Sequence, residues 1–151
     1  MMMLKRRQQP EPAQAPGWRT SVAGAGPRVL IEHPDPAAQD VLARGLEKHG
    51  YEVLTCGGPR AAGCTEVSCP LLWQESCGAV DGADVVISGL SLHTAPERMI
   101  LRRISQAPGA PQLVLEATPG DAAGLLETSA DGYVTPLSVS GVVEALERLT
   151  R

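Results

Sequence analysis

The chain has 151 residues, 43% of them apolar, and a net charge of -4, which allows one domain with a real hydrophobic core. Sixteen Gly and thirteen Pro exceed what a compact helical bundle tolerates. The aromatics are only Trp18, Trp73, Tyr51 and Tyr133, so the core must be built from Val, Leu, Ile and Ala. Charge is unevenly spread: residues 1–27 hold Lys5, Arg6, Arg7 and Arg19 against one acid, Glu11, whereas the rest holds 9 basic and 16 acidic residues. An acidic body excludes non-specific nucleic-acid binding, which needs clustered positive charge. No run is apolar for long enough to span a bilayer. Gln8, Gln9 and Pro10 stand where a signal peptide would need apolar residues after Lys5-Arg6-Arg7, so the expectation is a cytoplasmic protein.

Residues 1–27 have no periodic apolar pattern and read as a disordered N-terminal arm in which Trp18 is a stray aromatic or the one residue with binding potential. Order is expected from Arg28. Val29-Leu30-Ile31 is a short apolar run of the kind buried on both faces of a parallel sheet. Pro34, Asp35 and Pro36 make a turn and open a helix. Its apolar set is Val41, Leu42, Gly45, Leu46 and His49, with Asp40, Arg44, Glu47 and Lys48 facing water. Gly50 ends the helix in a left-handed conformation, with His49 set against the helix dipole. Tyr51, Val53 and Thr55 then alternate as a less buried strand.

Residues 56–80 interrupt the rhythm. Asp84 to Leu90 is the strongest strand of the chain. Thr94-Ala95-Pro96-Glu97 matches a capping box and opens a helix with Ile100, Leu101 and Ile104 on one face. Arg98, Arg102 and Arg103 lie elsewhere on it. Gln112 to Leu115 reads as a fourth strand, Asp121 to Glu127 as a short helix and Tyr133 to Thr135 as a fifth strand. Ser138 or Ser140 caps a last helix with Val139, Val142, Val143, Leu146 and Leu149 as its apolar set. Strands alternating with helices at this spacing imply a parallel sheet with right-handed crossovers. The expected fold is α/β and flavodoxin-like, a three-layer sandwich with five strands in the order 2-1-3-4-5. Its second helix is replaced or degraded by a Cys-rich loop at 56–80.

Three stretches closely resemble the response-regulator receiver family: the Pro36-Ala37-Ala38 turn and helix running to Gly50-Tyr51-Glu52-Val53, then Ala83 to Ile87, then Ala130 to Thr135. The resemblance covers roughly residues 28–150 and implies a receiver-like signalling domain over residues 28–151. In that family a carboxylate nucleophile, a metal-binding acidic pair, a hydroxyl and a lysine carry phosphoryl transfer, because metal and lysine neutralise charge on the moving group. Here the nucleophile position is Gly89, and the acidic pair falls on His33 and Pro34, with Asp35 beside them. Glu116 stands at the hydroxyl position. No lysine stands between Thr135 and Pro136. Ser88 is expected on the opposite strand face and Asp84 at the strand's far end, so neither replaces the nucleophile.

The resemblance therefore implies a degenerate pseudo-receiver with no phospho-acceptor and no catalytic residue. Its retired pocket is His33, Asp35, Gly89, His93 and Glu116, read as solvated loop residues at the carboxyl ends of strands or as ligands of a transition metal. The leading expectation is a non-enzymatic regulatory module that works through a protein partner, a second copy of the chain included. Leu137, Val139 and Val143 would form the partner face.

Cys56, Cys64, Cys69 and Cys77 lie within 22 residues at a spacing of C-x7-C-x4-C-x7-C, unlike paired C-x2-C zinc knuckles. Three readings stand side by side: a zinc or iron–sulfur site, disulfides or a thiol switch, and reduced, partly buried small hydrophobes. The first two would make the chain a metal or redox sensor. No G-x-G-x-x-G follows the first strand and no P-loop appears, which argues against an enzyme on this scaffold.

Overall fold

The computed structural model describes residues 18, 26–59, 69–73, 77–107, 109–126 and 130–149. Cys64, most of the N-terminal arm and Glu127 lie outside the described residues. The elements in chain order are β1 (Arg28–Glu32), α1 (Pro36–Lys48), β2 (Glu52–Cys56), α2 (Pro70–Trp73), α3 (Gly78–Asp81) and β3 (Val85–Ser88). They continue as α4 (Ala95–Gln106), β4 (Gln112–Glu116), α5 (Pro119–Leu126), β5 (Gly132–Val134) and α6 (Val139–Leu149). The five strands form one sheet in the order β2-β1-β3-β4-β5, and every pairing is parallel. This is the expected flavodoxin-like architecture. Two one-turn helices, α2 and α3, stand where a full second helix would run.

Strand alternation sorts the core into two layers. Val29, Ile31, Val85, Ile87 and Val114 face α1 and α6, meeting Leu42, Leu46, Val142 and Leu146. Leu30, Val86, Leu113 and Leu115 face the other side, meeting Ile100, Leu101, Ile104, Ala122 and the α2–α3 segment. Both layers are aliphatic, as the scarcity of aromatics required.

Local signals explain most element ends. Asp35 caps α1 by accepting from the Ala37 N–H at 3.0 Å. His49 Nδ1 lies 2.9 Å from the Gly45 carbonyl at the other end, and Gly50 takes φ +89. Ser138 is the cap of α6, accepting from the Gly141 N–H at 3.1 Å. At α4 the Thr94 side chain accepts from no helix N–H; its hydroxyl donates to the Glu97 carboxylate and reaches the Ser91 carbonyl at 3.5 Å. Val41 departs from its expected place. It is 62% exposed, because the buried stripe of α1 centres on Leu42 and Leu46.

Trp18 is not a stray aromatic. Its Nε1 donates to the Ala79 carbonyl of α3 at 2.7 Å, and the Arg28 guanidinium lies 5.6 Å from the ring centroid. A Cβ on Gly82 would fall 2.2 Å from Trp18 Cδ1, so the missing side chain is the slot for the ring.

The three residues expected to form a partner face are drawn into the core to different degrees. Val143 is 9% exposed, and Leu137 and Val139 pack against the same core layer. The apolar stripe of α6 is spent on α1 and the sheet, as amphipathic burial demands. A Cβ on Gly45 would lie 2.5 Å from both γ-carbons of Val139. Gly45→Ala is therefore expected to lose about 1 kcal/mol in urea denaturation, the clash outweighing the gain in helix propensity. Adding Val139→Ala should make the double variant more stable than the sum of the two single losses.

Candidate functional site

In open α/β sheets the site lies at the carboxyl ends of the strands, and here that edge divides by strand face. On the α1–α6 face sit His33, Gly89, Glu116 and Leu137. On the opposite face sit Glu32, Ser88 and Cys56, beneath Cys69 and the α2–α3 segment.

The first group is closed from within. A Cβ on residue 89 would lie 2.4 Å from His33 Cδ2, 3.0 Å from His33 Nε2 and 3.2 Å from Leu137 Cδ1. Gly89 is not among the glycines with positive φ, so space rather than backbone conformation requires it. The imidazole is held in place: the Asp35 N–H donates to His33 Nδ1 at 3.0 Å, which leaves the proton of the neutral ring on Nε2. The His33 N–H donates to the Cys56 carbonyl at 3.0 Å, and the Gln39 amide donates to the His33 carbonyl. Glu116 Oε2 accepts from the Leu137 N–H at 2.8 Å, tying the end of β4 to the loop before α6.

The five pocket residues read from sequence therefore have separate tasks. Gly89, His93 and Glu116 line one shallow depression of about 270 Å³ with Asp121. His33 abuts it through Gly89, and Asp35 is spent on capping α1. Among the described residues no three His, Cys, Asp or Glu side chains are disposed to hold a metal ion. Ser88 points away from Gly89 as expected; it is 1% exposed, and its hydroxyl accepts from the Leu90 N–H at 3.2 Å. Asp84 sits at the other end of β3 and accepts from the Arg28 N–H at 2.8 Å.

Cys56, Cys69 and Cys77 are free thiols packed into or against the core layer beneath α2 and α3, and Cys64 lies outside the described residues. No disulfide joins these three to one another, and no metal-ligand set of three converges among the described residues. Burial, and secondarily the charge of Glu32, push the Cys56 thiol up to about 11. Burial likewise pushes Cys69 up to about 12. Thiols held neutral are poor nucleophiles and poor ligands.

Glu32 is the residue that sequence reasoning missed. It is 2% exposed and pairs in register with Cys56 and Ser88. Its Oε1 has no hydrogen-bond partner. Burial raises the carboxyl to about 7, because the anion is stripped of its water. The signal was available: a carboxylate directly follows the apolar run Val29-Leu30-Ile31 on a central strand.

No family model and no curated protein matches the chain. Solved structures do. A response-regulator receiver domain protein from Clostridium thermocellum aligns at 21% identity and TM-score 0.58, covering 82% of this chain and 93% of that one. The response regulator TrrA from Thermotoga maritima, in complex with magnesium and beryllofluoride, aligns at 20% identity and TM-score 0.59, covering 82% and 99%. A protein assigned to pilus assembly (CpaE) from Burkholderia thailandensis E264 aligns at 18% identity and TM-score 0.62, covering 83% and 98%. At these identities the likeness is one of fold: the chain has the CheY-like flavodoxin fold.

The Glu116–Leu137 bond yields a direct expectation. Glu116→Ala leaves the Leu137 N–H without its carboxylate and should cost about 1 kcal/mol in urea denaturation, discounted for the half-exposed setting. Glu116→Gln keeps an acceptor and should retain most of that stability, with the Leu137 amide resonance moving far less than in the alanine variant.

Proposed function

We propose that this chain is a pseudo-receiver: a regulatory module that acts through contact with a protein partner, without phosphorylation. The observation that carries the reading is the His33 ring packed where a side chain on residue 89 would stand. A receiver acceptor must be a carboxylate open to a phosphodonor and close to bound metal. Gly89 supplies no carboxylate, His33 and Pro34 replace the acidic pair, and Glu116 is engaged with the Leu137 N–H. Charge developing on a phosphoryl group would meet no lysine and no metal-binding pair at this edge. Such a site has no chemistry to perform, which leaves recognition as the use of the fold.

Leu137 and Val139 are half-buried and Val143 is buried, so the contact surface proposed here extends from them to the outer edge of the sheet, at β5 between α5 and α6. There Pro119, Tyr133, Thr135, Arg148 and Leu149 line a depression of about 400 Å³. The edge strand β5 contributes three residues and has no pairing partner beyond β4 among the described residues. It combines an aromatic ring with a cation, a pairing favoured at protein contacts. The resemblance to receivers points to the same last strand and last helix. The body's acidic balance argues against nucleic acid as the partner, and no helix among the described residues is long and apolar enough to cross a membrane.

Acetyl phosphate with magnesium should leave the intact mass and the spectra of the protein unchanged. Gly89→Asp should also stay unmodified, since the restored carboxylate must displace His33 and still lacks a metal site. It should be destabilised by about 1–3 kcal/mol as an overpacked position. A phosphorylated aspartate mapped in the natural chain would defeat the reading.

A further inference from the structure

The sheet has a second open edge, on the side away from β5. We propose that β2 is a self-association edge: two copies of this chain join β2 to β2 in antiparallel register about Leu54, making one continuous sheet.

Three observations carry this. First, the edge is long and undefended. β2 has five residues, all half-buried, with no Lys, Pro or Gly among them. Edge strands are ordinarily blunted by such residues or by shortness. The opposite edge, β5, is blunted in that way: it has three residues and meets Pro136 two positions on. Second, the outward backbone groups are available. The Glu52 N–H donates to the Pro27 carbonyl and the Cys56 carbonyl accepts from the His33 N–H, so residues 52, 54 and 56 spend their backbone on β1. Strand alternation turns the N–H and C=O groups of Val53 and Thr55 outward. Among the described residues neither has a hydrogen-bond partner on that side. Third, α1 leaves the edge open. Two adjoining depressions of about 380 and 390 Å³ run along it, and Glu47, Val53 and Leu54 line both.

The strand's own sequence selects a second copy as the occupant. Set antiparallel to itself about Leu54, β2 places Val53 opposite Thr55, the two residues whose backbone groups face outward. Each such pair exchanges both of its N–H···O bonds. Leu54 meets Leu54 of the second copy in the closer, non-hydrogen-bonded spacing, where apolar pairs stabilise a sheet. The one charged residue of the strand, Glu52, meets the Cys56 thiol instead of another carboxylate, and its charge is already matched by Arg28 at 3.3 Å. A dyad normal to the sheet keeps each core layer on its own side and closes the assembly at two copies. Asp40 and Glu47 of α1 also line the groove, with Asp40 paired to Arg44 at 3.1 Å. Salt screens their repulsion across the dyad, so association should tighten as ionic strength rises. A basic strand from another protein would be held less tightly under the same change. β2 and β5 are opposite edges, so this pairing leaves the contact surface proposed at β5 free on both copies. Self-association can therefore fail while the pseudo-receiver reading stands.

The test is analytical ultracentrifugation of the natural chain and of Thr55→Pro over a range of concentrations. The natural chain should pass from monomer to dimer. Thr55→Pro removes one outward donor from each copy and touches no bond to β1, so it should weaken the dimer about 30-fold. Register is read from Glu52→Cys treated with diamide: the expected disulfide joins position 52 to Cys56 of the second copy, as peptide mass spectrometry would map it. Within one copy these positions lie too far apart along the strand to be bridged. Cross-links mapped only to other cysteines would refute the register. A natural chain that stays monomeric up to ~1 mM overturns the proposal, as does a dimer that Thr55→Pro leaves unchanged or that salt weakens. Should the proline variant not fold, amide exchange of the natural chain decides: slower exchange at Val53 and Thr55 on concentrating the protein supports the pairing, and unchanged exchange refutes it.

Discussion

The His33 imidazole and the vacant side chain of Gly89 form one steric unit, and the functional reading of the fold rests on it. Neither residue is informative alone. A histidine at a strand end is ordinary, and a glycine there is ordinary. Together they occupy the position where an acceptor side chain would stand, with a Cβ on residue 89 brought within 2.4 Å of the ring. Protein interiors do not accommodate such an approach without rearrangement. The Asp35 N–H bond to Nδ1 and the backbone bond to the Cys56 carbonyl hold the ring's residue in that place.

Around this unit the carboxyl edge of the sheet has been put to structural use. Glu116 ties the β4 end to the α6 loop, Asp35 caps α1, and Leu137 closes the space beside Gly89. Side chains there have their hydrogen bonds taken up by the backbone, which stabilises the edge. On the opposite strand face the arrangement reverses. There Glu32 is buried with no partner at Oε1, beside thiols that its charge raises further. One edge of one sheet therefore carries a satisfied face and an unsatisfied one, a few ångströms of backbone apart.

The fold was legible because each signal is local and strong. Val29-Leu30-Ile31, Asp84 to Leu90 and Gln112 to Leu115 are runs that only buried parallel strands accommodate, and Gly50 marks its helix end by a required positive φ. What escaped was orientation. Val139 and Val143 were legible as the apolar set of α6, whereas the packing of α1 on that stripe, with Gly45 making room for Val139, was not. Trp18 escaped because its slot is built by Gly82 and Ala79, more than sixty positions on. Glu32 was hidden by proximity to His33 and Pro34, and strand alternation sends it to the other face. The cysteines drew attention by clustering, whereas Cys56, Cys69 and Cys77 serve as core atoms.

The central proposal is that His33 fills from within the place a receiver's phospho-acceptor would take, so that this chain binds no phosphoryl group. Fluorine NMR of the protein with magnesium and beryllofluoride, a mimic of the bound phosphoryl group, measures this directly. The account predicts only free-ligand resonances and unmoved amides at His33, Gly89 and Leu137 at saturating concentrations. A bound fluorine signal that saturates, with those three amides shifting alongside it, would contradict it.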